Sequence, residues 1–231
     1  MSTPDIHAQS CTKACLLQDI GRICYSDALK LQNDLHDRCA VGDIPGVLIL
    51  LEHDPVITLG VKNSSRGNVL ASPKLLKANG VELVETDRGG DVTYHGPGQL
   101  VGYPIVRLRE LTGDVHSYLR LLEQSIIDTL AEFGLEGHRN GPAGVWVADK
   151  KVCSIGIAVR KWVTYHGFAL NVDPNLSHFA LINPCGLHSE QITSMAKLLG
   201  YVPEMRDVRD VYARAFSRIF NVELQAWCGP T

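Results

Sequence analysis

Three features of the sequence combine residue types that could do chemistry. Arg88–Gln99 is a polar segment with four glycines in twelve residues. Glycines let a backbone approach a bound group closely, and the polar side chains between them can fix its orientation. A pair of tight β-turns with incidental polar residues would have the same composition. Composition alone therefore leaves both a binding segment and a structural turn open.

The second feature is Cys185, which lies between Pro184 and Gly186 in a polar loop. A buried structural cysteine usually lies in an apolar run, whereas this one sits where the backbone must turn and where amides could stabilise an oxyanion. From this context alone a structural role is favoured, and a nucleophilic thiol is the alternative. Cys153 differs, because it lies in an apolar strand and is expected to be a small buried residue.

The third feature is Lys151, the first residue of the apolar strand Lys151–Ile157. Side chains alternate along a strand, so Lys151, Cys153 and Ile155 are expected to share one face. The lysine would then point to the packed side of the sheet and be partly desolvated. The strand alone slightly favours the other interpretation, a strand-end lysine that extends its ammonium to water.

The elements that must position these residues are strands interrupted by helices. Apolar runs bounded by Gly, Pro and Asp predict strands over 16–25, 46–51, 56–59, 81–84, 100–106, 144–147, 151–159 and 167–172. Helical periodicity and capping residues predict helices over 26–39, 72–80, 114–133, 194–199 and 204–220, with Ser26 as the N-cap of the first and Asp114 as the N-cap of the third. Because the strands and helices do not alternate strictly, the fold class is expected to be α+β with a mixed or antiparallel sheet and flanking helices.

Composition excludes several function classes. The chain has 231 residues, and 22 Lys and Arg against 25 Asp and Glu give a net charge of −3, too balanced for non-specific attraction to nucleic acid or to a membrane. Seven cysteines without a Cys-x-x-Cys pair argue against a disulfide framework or a zinc ribbon. Phosphate-loop, dinucleotide, nucleophile-elbow and zinc-protease motifs are absent. We expect a cytoplasmic protein with no metal site and with neither nucleic acid nor membrane as a partner.

Six segments, taken in chain order, resemble the lipoyl(octanoyl) transferases of lipoate biosynthesis. The similarity extends from about residue 18 to residue 220, and the segments that carry it are Leu51–Val56, Arg88–Gln99, Gly144–Val147, Lys151–Gly156, His166–Asn171 and Asn183–Gly186.

This resemblance implies the fold of the biotin and lipoate protein ligases. It implies a single catalytic domain over 16–222, with a poorly ordered extension over 1–15 and a tail over 223–231. The implied reaction moves octanoyl from octanoyl-acyl carrier protein, through a cysteine thioester, to a lysine of a lipoyl domain. The acceptors would be 2-oxoacid dehydrogenase E2 subunits and the glycine cleavage H protein, and no cofactor is implied.

The resemblance also implies the site residues. Cys185 and Lys151 correspond to the family's catalytic pair, and His53 is expected to line the pocket. The residues implied to bind the acyl group are Arg88, Gly89, Gly90, Asp91, Val92, Thr93, Tyr94, His95, Ser154, Ile155, Gly156, Gly167, Phe168 and Ala169. A docking patch for the acidic carrier is hypothesised at Arg66, Lys150, Arg160 and Lys161. An ATP-dependent lipoate ligase, which would not need Cys185, and a non-catalytic acyl-binding homologue remain as alternatives.

Overall fold

The computed structural model describes residues 13–62, 64–141, 143–183 and 189–229. The strands are β1 (Lys13–Ile23), β2 (Val47–His53), β3 (Val56–Leu59), β4 (Glu82–Glu85), β5 (Thr93–His95), β6 (Gln99–Ile105), β7 (Gly137–His138), β8 (Gly144–Val147), β9 (Lys150–Arg160), β10 (Val163–Asn171) and β11 (Val222–Ala226). The helices are α1 (Tyr25–Val41), α2 (Pro73–Ala78), α3 (Leu108–Leu111), α4 (Val115–Glu132), α5 (Met195–Leu199) and α6 (Met205–Phe220). Short 3₁₀ turns cover Leu176–Leu181 and Ser189–Gln191.

Two sheets organise these elements. The large sheet has eight strands in the order β11-β1-β2-β6-β10-β9-β8-β7, and the small one has the order β4-β3-β5. β1 runs parallel to both of its neighbours, while β2, β6, β10, β9, β8 and β7 pair antiparallel in succession. The predicted α+β class with a mixed sheet is confirmed.

Strand β2 shows why the large sheet is covered on both faces. Its residues Val47–Leu51 are all buried, and successive side chains point to opposite faces. Leu48 and Leu50 join a core cluster with α4 and α6, whereas Ile49 and Leu51 join another with α1. A continuous apolar run in the sequence is therefore the signature of a central strand between two helical layers.

Helix starts follow the capping rules at α2, α4 and α5 and depart from them at α1. The carboxylate of Asp114 accepts a hydrogen bond from the Ser117 amide at 2.7 Å, which begins α4 as predicted. The hydroxyl of Ser72 likewise caps α2 ahead of Pro73. The expected cap at Ser26 is wrong: α1 already begins at Tyr25, and its N-cap residue makes no side-chain capping bond.

The terminal strands shift the expected domain boundaries outward. β1 begins at Lys13, and its residues Lys13–Leu17 pair one by one with Val222–Ala226 of β11. Residues 13–15 and 223–226, expected to lie outside the catalytic domain, are therefore strand residues of the large sheet. Residues 1–12 lie outside the described part of the chain. Among the helices described here, none is long and apolar enough to cross a membrane.

Candidate active site

A cavity of about 330 Å³ lies between the large sheet, the small sheet and the segment 88–93. β9 and β10 supply one wall, and the glycine-rich segment supplies the opposite one. All of the acyl-binding residues implied by the sequence line this cavity except Tyr94 and His53, and Lys151 lines it too. The fold thus gathers residues that are up to 81 positions apart in the chain, from Arg88 to Ala169, around one space.

Backbone hydrogen bonds fix the segment 88–91 between the two sheets. Carbonyls of this segment accept bonds from the amides of residues 60–62, at 3.0 Å for Val61 to Arg88 and 3.2 Å for Lys62 to Gly90. The Gly89 amide in turn donates to the Ile157 carbonyl of β9 at 2.8 Å. This segment therefore joins the small sheet to the large one, and its position sets the width of the cavity.

The Arg88 guanidinium is buried in the cavity wall. Its Nη2 donates to the Thr58 carbonyl at 2.7 Å and to the Thr58 hydroxyl at 2.9 Å, and Nη1 donates to the Gly89 carbonyl. A buried guanidinium needs such acceptors because its donors are costly to leave unsatisfied. Arg88 consequently fixes the start of the glycine-rich segment and places a positive charge at the cavity.

Asp91 holds the loop that follows β3. Burial raises the pKa of its carboxyl, but hydrogen bonds from the Asn68 side chain, at 2.8 Å, and from the Val92 amide, at 2.7 Å, outweigh burial and the pKa is lowered. The carboxylate also accepts from the Ser64 hydroxyl. Asp91 is therefore an anion that both lines the cavity and anchors residues 64–68.

Tyr94 and His53, both expected at the pocket, do not line it. Alternation along β5 directs Thr93 and His95 to the cavity and Tyr94 away from it, where its hydroxyl bonds to His178 Nδ1 at 2.8 Å. His53 is fully buried behind the wall.

His53 supports a cavity residue from behind. Its Nδ1 donates to the Ile23 carbonyl at 3.0 Å, so Nε2 accepts from the Tyr103 hydroxyl at 2.7 Å. Burial lowers the pKa of His53 to about 4, which keeps the ring neutral and preserves this donor pattern. Tyr103, which lines the cavity, is oriented by this bond.

The Lys151 side chain faces the cavity because the pairing between β8 and β9 is interrupted next to it. Val145 pairs with Cys153 and Trp146 with Lys151, so Val152 has no partner and forms a bulge. Both Val152 and Cys153 pack in the core cluster of α4 and α6. The expectation that Lys151 and Cys153 share a face is therefore wrong, because alternation does not continue through the bulge.

The Lys151 side chain, only 5% exposed as a residue, is held by β8 and the residue before it. Nζ donates to the Ala143 carbonyl at 3.0 Å and lies 5.6 Å from the centre of the Trp146 ring. Gly144 lies against the same side chain: a Cβ there would be 2.6 Å from Lys151 Cε. From the sequence, no role was assigned to Ala143 or Gly144, although Gly144 opens an apolar strand and begins one of the segments of the family resemblance.

Cys153 is buried as expected, and burial raises the pKa of its thiol. Cys185 lies outside the described residues. Described residues before and after it make backbone contacts: the Asn183 amide donates to the Asn68 carbonyl at 2.7 Å, and Ile192 pairs with Lys151. Ile192 itself lines the cavity.

Sequence reasoning also missed Tyr25, Tyr103 and His166, which line the cavity. His166 has a left-handed backbone, with φ of 54°, and its Nε2 bonds to the Asp87 carboxylate at 2.8 Å. Burial lowers the pKa of His166 by more than the Asp87 carboxylate raises it. The signal that could have indicated His166 is its place beside Gly167 in a segment of the family resemblance.

Two residues of the hypothesised carrier-docking patch lie at opposite ends of one strand. Lys150 begins β9 and Arg160 ends it. Ten steps of about 3.3 Å separate their backbones by roughly 33 Å. Arg66 instead forms an ion pair with Glu85 at the edge of the small sheet.

Solved structures with the same fold are protein ligases. A bi-partite lipoate protein ligase from Thermoplasma acidophilum matches with a TM-score of 0.72 at 17% identity, covering 94% of this chain and 87% of that one. A biotin protein ligase mutant from Aquifex aeolicus, in complex with biotin, matches with a TM-score of 0.51 at 12% identity, covering 88% and 69%. The expected ligase-like fold is confirmed.

Relatives in sequence define the class of protein more closely than the fold does. Residues 24–217 match the model of the lipoyl protein ligase A/B catalytic domain. The octanoyltransferase of Solibacter usitatus is 48% identical over 211 residues, covering 91% of this chain and 94% of its own. The octanoyltransferase of Caldicellulosiruptor saccharolyticus is 45% identical over 204 residues, covering 87% and 86%. The chain belongs to the lipoyl protein ligase A/B family and is an acyltransferase of its octanoyltransferase type.

Proposed function

We propose that this enzyme transfers octanoyl from octanoyl-acyl carrier protein to a specific lysine of lipoyl domains, through a thioester on Cys185. The acceptors would be 2-oxoacid dehydrogenase E2 subunits and the glycine cleavage H protein. The single observation that carries the proposal is the cavity: a space of about 330 Å³ that is lined by Lys151 and by every implied acyl-binding residue except Tyr94. Its volume is within the usual range for a small-ligand site.

The walls of the cavity suit an acyl chain. Gly156, Gly167 and Ala169 leave room along β9 and β10, while Phe168 and Ile155 provide apolar surface. Burial of methylene groups against such surface is worth about 0.8 kcal/mol each. The acyl chain would therefore bind along these strands, with its carbonyl towards Lys151.

The chemistry requires two exchanges. In the first, the Cys185 thiolate, stabilised by the Lys151 ammonium, attacks the donor thioester, and the ammonium gives its proton to the departing carrier thiolate. One thioester replaces another, the carrier leaves as a thiol and no ATP is consumed. In the second, the acceptor lysine amine attacks the enzyme thioester and the now neutral Lys151 takes one proton from the attacking nitrogen. The products are the amide, the Cys185 thiolate and the Lys151 ammonium, which restores the starting state.

Intact-mass measurement tests the proposal. After mixing with octanoyl-acyl carrier protein without ATP, we expect a hydroxylamine-labile octanoyl adduct on the wild-type chain. Cys185→Ala should lose the adduct, and Cys153→Ala, which removes the buried thiol, should keep it. Lys151→Ala should lose transfer to a lipoyl domain while its circular dichroism spectrum stays unchanged.

Other outcomes separate the alternatives. An adduct that survives in Cys185→Ala would contradict the thioester assignment. Transfer from free octanoate that depends on ATP and persists in Cys185→Ala would identify a ligase. Octanoyl binding without adduct or transfer in the wild-type chain would identify a non-catalytic acyl-binding protein.

A further inference from the structure

Glu123 is a buried carboxylate of α4 that the acyl-transfer reaction does not itself require. It is 5% exposed and lies beside the turn that leads into β8. Its Oε2 accepts from Arg120 Nη1 and from Arg139 Nε, both at 2.9 Å. Its other oxygen, Oε1, accepts from the Gly144 amide at 3.4 Å.

The peptide bond between Ala143 and Gly144 connects this carboxylate to Lys151. The N–H of the bond belongs to Gly144 and points to Glu123 Oε1. The C=O of the same bond belongs to Ala143 and accepts from Lys151 Nζ at 3.0 Å. One peptide dipole therefore lies between a carboxylate and an ammonium with its positive end towards the carboxylate, and each charge strengthens the hydrogen bond made to the other.

Gly144 makes this arrangement possible. Its φ is 145°, and a Cβ would lie 2.3 Å from the Cys153 carbonyl and 2.6 Å from Lys151 Cε. Only glycine lets the peptide approach the lysine side chain so closely. The same contact leaves the lysine few other positions.

We propose that Glu123 is a positioning residue that acts through the Ala143–Gly144 peptide to hold the Lys151 side chain, in its charged form, at the wall of the cavity. A role for Glu123 in catalysis rests on the function proposed above for Lys151. The placement of the lysine side chain and the stabilisation of its charge by Glu123 do not depend on that function.

Several other charges act on the same lysine. The cavity wall that contains Lys151 also contains the charged residues Lys62, Arg88 and Asp91. The Cys153 thiol belongs to β9, the same strand as Lys151. Arg120 and Arg139 offset part of the negative charge of Glu123. Removing the Glu123 carboxylate should therefore lower the pKa of Lys151, and removing one of the two arginines should raise it. If Glu123 had only a structural role, the two substitutions would not shift this pKa in opposite directions.

The pKa of Lys151 can be measured directly in protein carrying lysine labelled with ¹³C at Cε, with the Lys151 signal assigned by its loss in Lys151→Arg. In Glu123→Gln, which keeps the side-chain shape, we expect this pKa to fall by at least about 0.5. In Arg120→Gln, an exposed substitution, we expect a smaller rise because solvent screens that guanidinium. Glu132→Gln, the same change at an exposed position of α4, should leave the pKa unchanged.

An unchanged or raised pKa in Glu123→Gln, or a shift of the same sign in both variants, would overturn the inference. If Glu123→Gln does not fold, Arg120→Gln decides alone: a rise in the pKa of Lys151 supports the inference, and an unchanged or lower pKa overturns it. Transfer rates distinguish a failure of this inference from a failure of the proposed function. A pKa shift in Glu123→Gln without any change in kcat would refute the catalytic role of Lys151 and leave its placement by Glu123 intact.

Discussion

At the scale of single residues, two glycines of the cavity are required for close approach and not for backbone conformation. Neither Gly156 nor Gly167 has a positive φ. A Cβ on Gly156 would lie 2.8 Å from the Gly89 carbonyl, and one on Gly167 would lie 2.1 Å from the Gly102 carbonyl. Both distances are shorter than real Cβ contacts, so side chains here would push the glycine-rich segment or β6 away from the cavity wall.

We predict that Gly156→Ala weakens acyl binding and lowers stability. Its methyl group would displace Gly89, whose amide bonds to the Ile157 carbonyl at 2.8 Å. Overpacking of this kind costs about 1–3 kcal/mol in free energy of unfolding. Urea denaturation and the KM for the acyl donor are the measurements. Gly67→Ala, where a Cβ would meet only an ordinary contact of 3.5 Å, is the control, and equal effects in both variants would contradict the explanation.

At the scale of elements, local sequence patterns were sufficient to predict a helix or strand that is determined by its own residues. α4 has a single apolar face and an aspartate cap, and it was predicted to within one residue at either end. β3 was predicted with its observed bounds, Val56–Leu59. The bulge at Val152 and the bond between Gly144 and Glu123 were not predictable, because pairing partners distant in the chain determine them.

The start of β10 shows how a turn can lack a signal. The sequence predicted a strand only from Gly167, whereas β10 begins at Val163. β9 and β10 are joined by Lys161 and Trp162, with φ of 50° and 63°, in place of the Asn or Gly usual for a turn with two positive φ angles. Because Asn and Gly are absent from this turn, the sequence did not predict the hairpin. For the same reason it did not predict that His166 lies within a strand.

We predict that Lys161→Asn stabilises the protein by about 0.5–1 kcal/mol, because asparagine tolerates the left-handed conformation better than lysine. Lys161→Gln removes the same charge without this preference and should be close to neutral. Thermal unfolding of both variants checks the prediction. An equal gain in both would assign the effect to the loss of the lysine charge and not to the turn, although the attraction of that charge to Asp37 opposes such a gain.

At the scale of the whole molecule, neutral aromatic and histidine side chains connect distant elements in and behind the cavity wall. The Tyr25 ring of α1 stacks on His95 of β5 at 6.2 Å, and His53 of β2 lies 5.8 Å from His95. Tyr103 of β6 contacts His166 of β10 at 6.5 Å. These contacts join both sheets and a helical layer around one site.

The same cluster should make stability depend on pH. Burial lowers the pKa of His53 to about 4 from 6.5, and burial also lowers the pKa values of His95 and His166. Between these pH values the unfolded chain binds protons that the folded chain excludes, so the free energy of unfolding is highest above pH 6.5 and falls as the pH drops towards 4. His53 alone would account for at most about 3 kcal/mol of this loss.

Denaturant unfolding across this pH range measures the loss in the wild-type chain and in His53→Asn, which retains an amide donor near the Ile23 carbonyl but cannot be protonated. We expect the variant to be less stable at neutral pH, because the Tyr103 hydroxyl loses its acceptor, and to lose less stability on acidification. His138→Asn, at an exposed position, should keep the wild-type slope. A slope in His53→Asn as steep as that of the wild type would show that the charge on His53 is tolerated in the folded state, and that the neutral cluster is not what limits stability in acid.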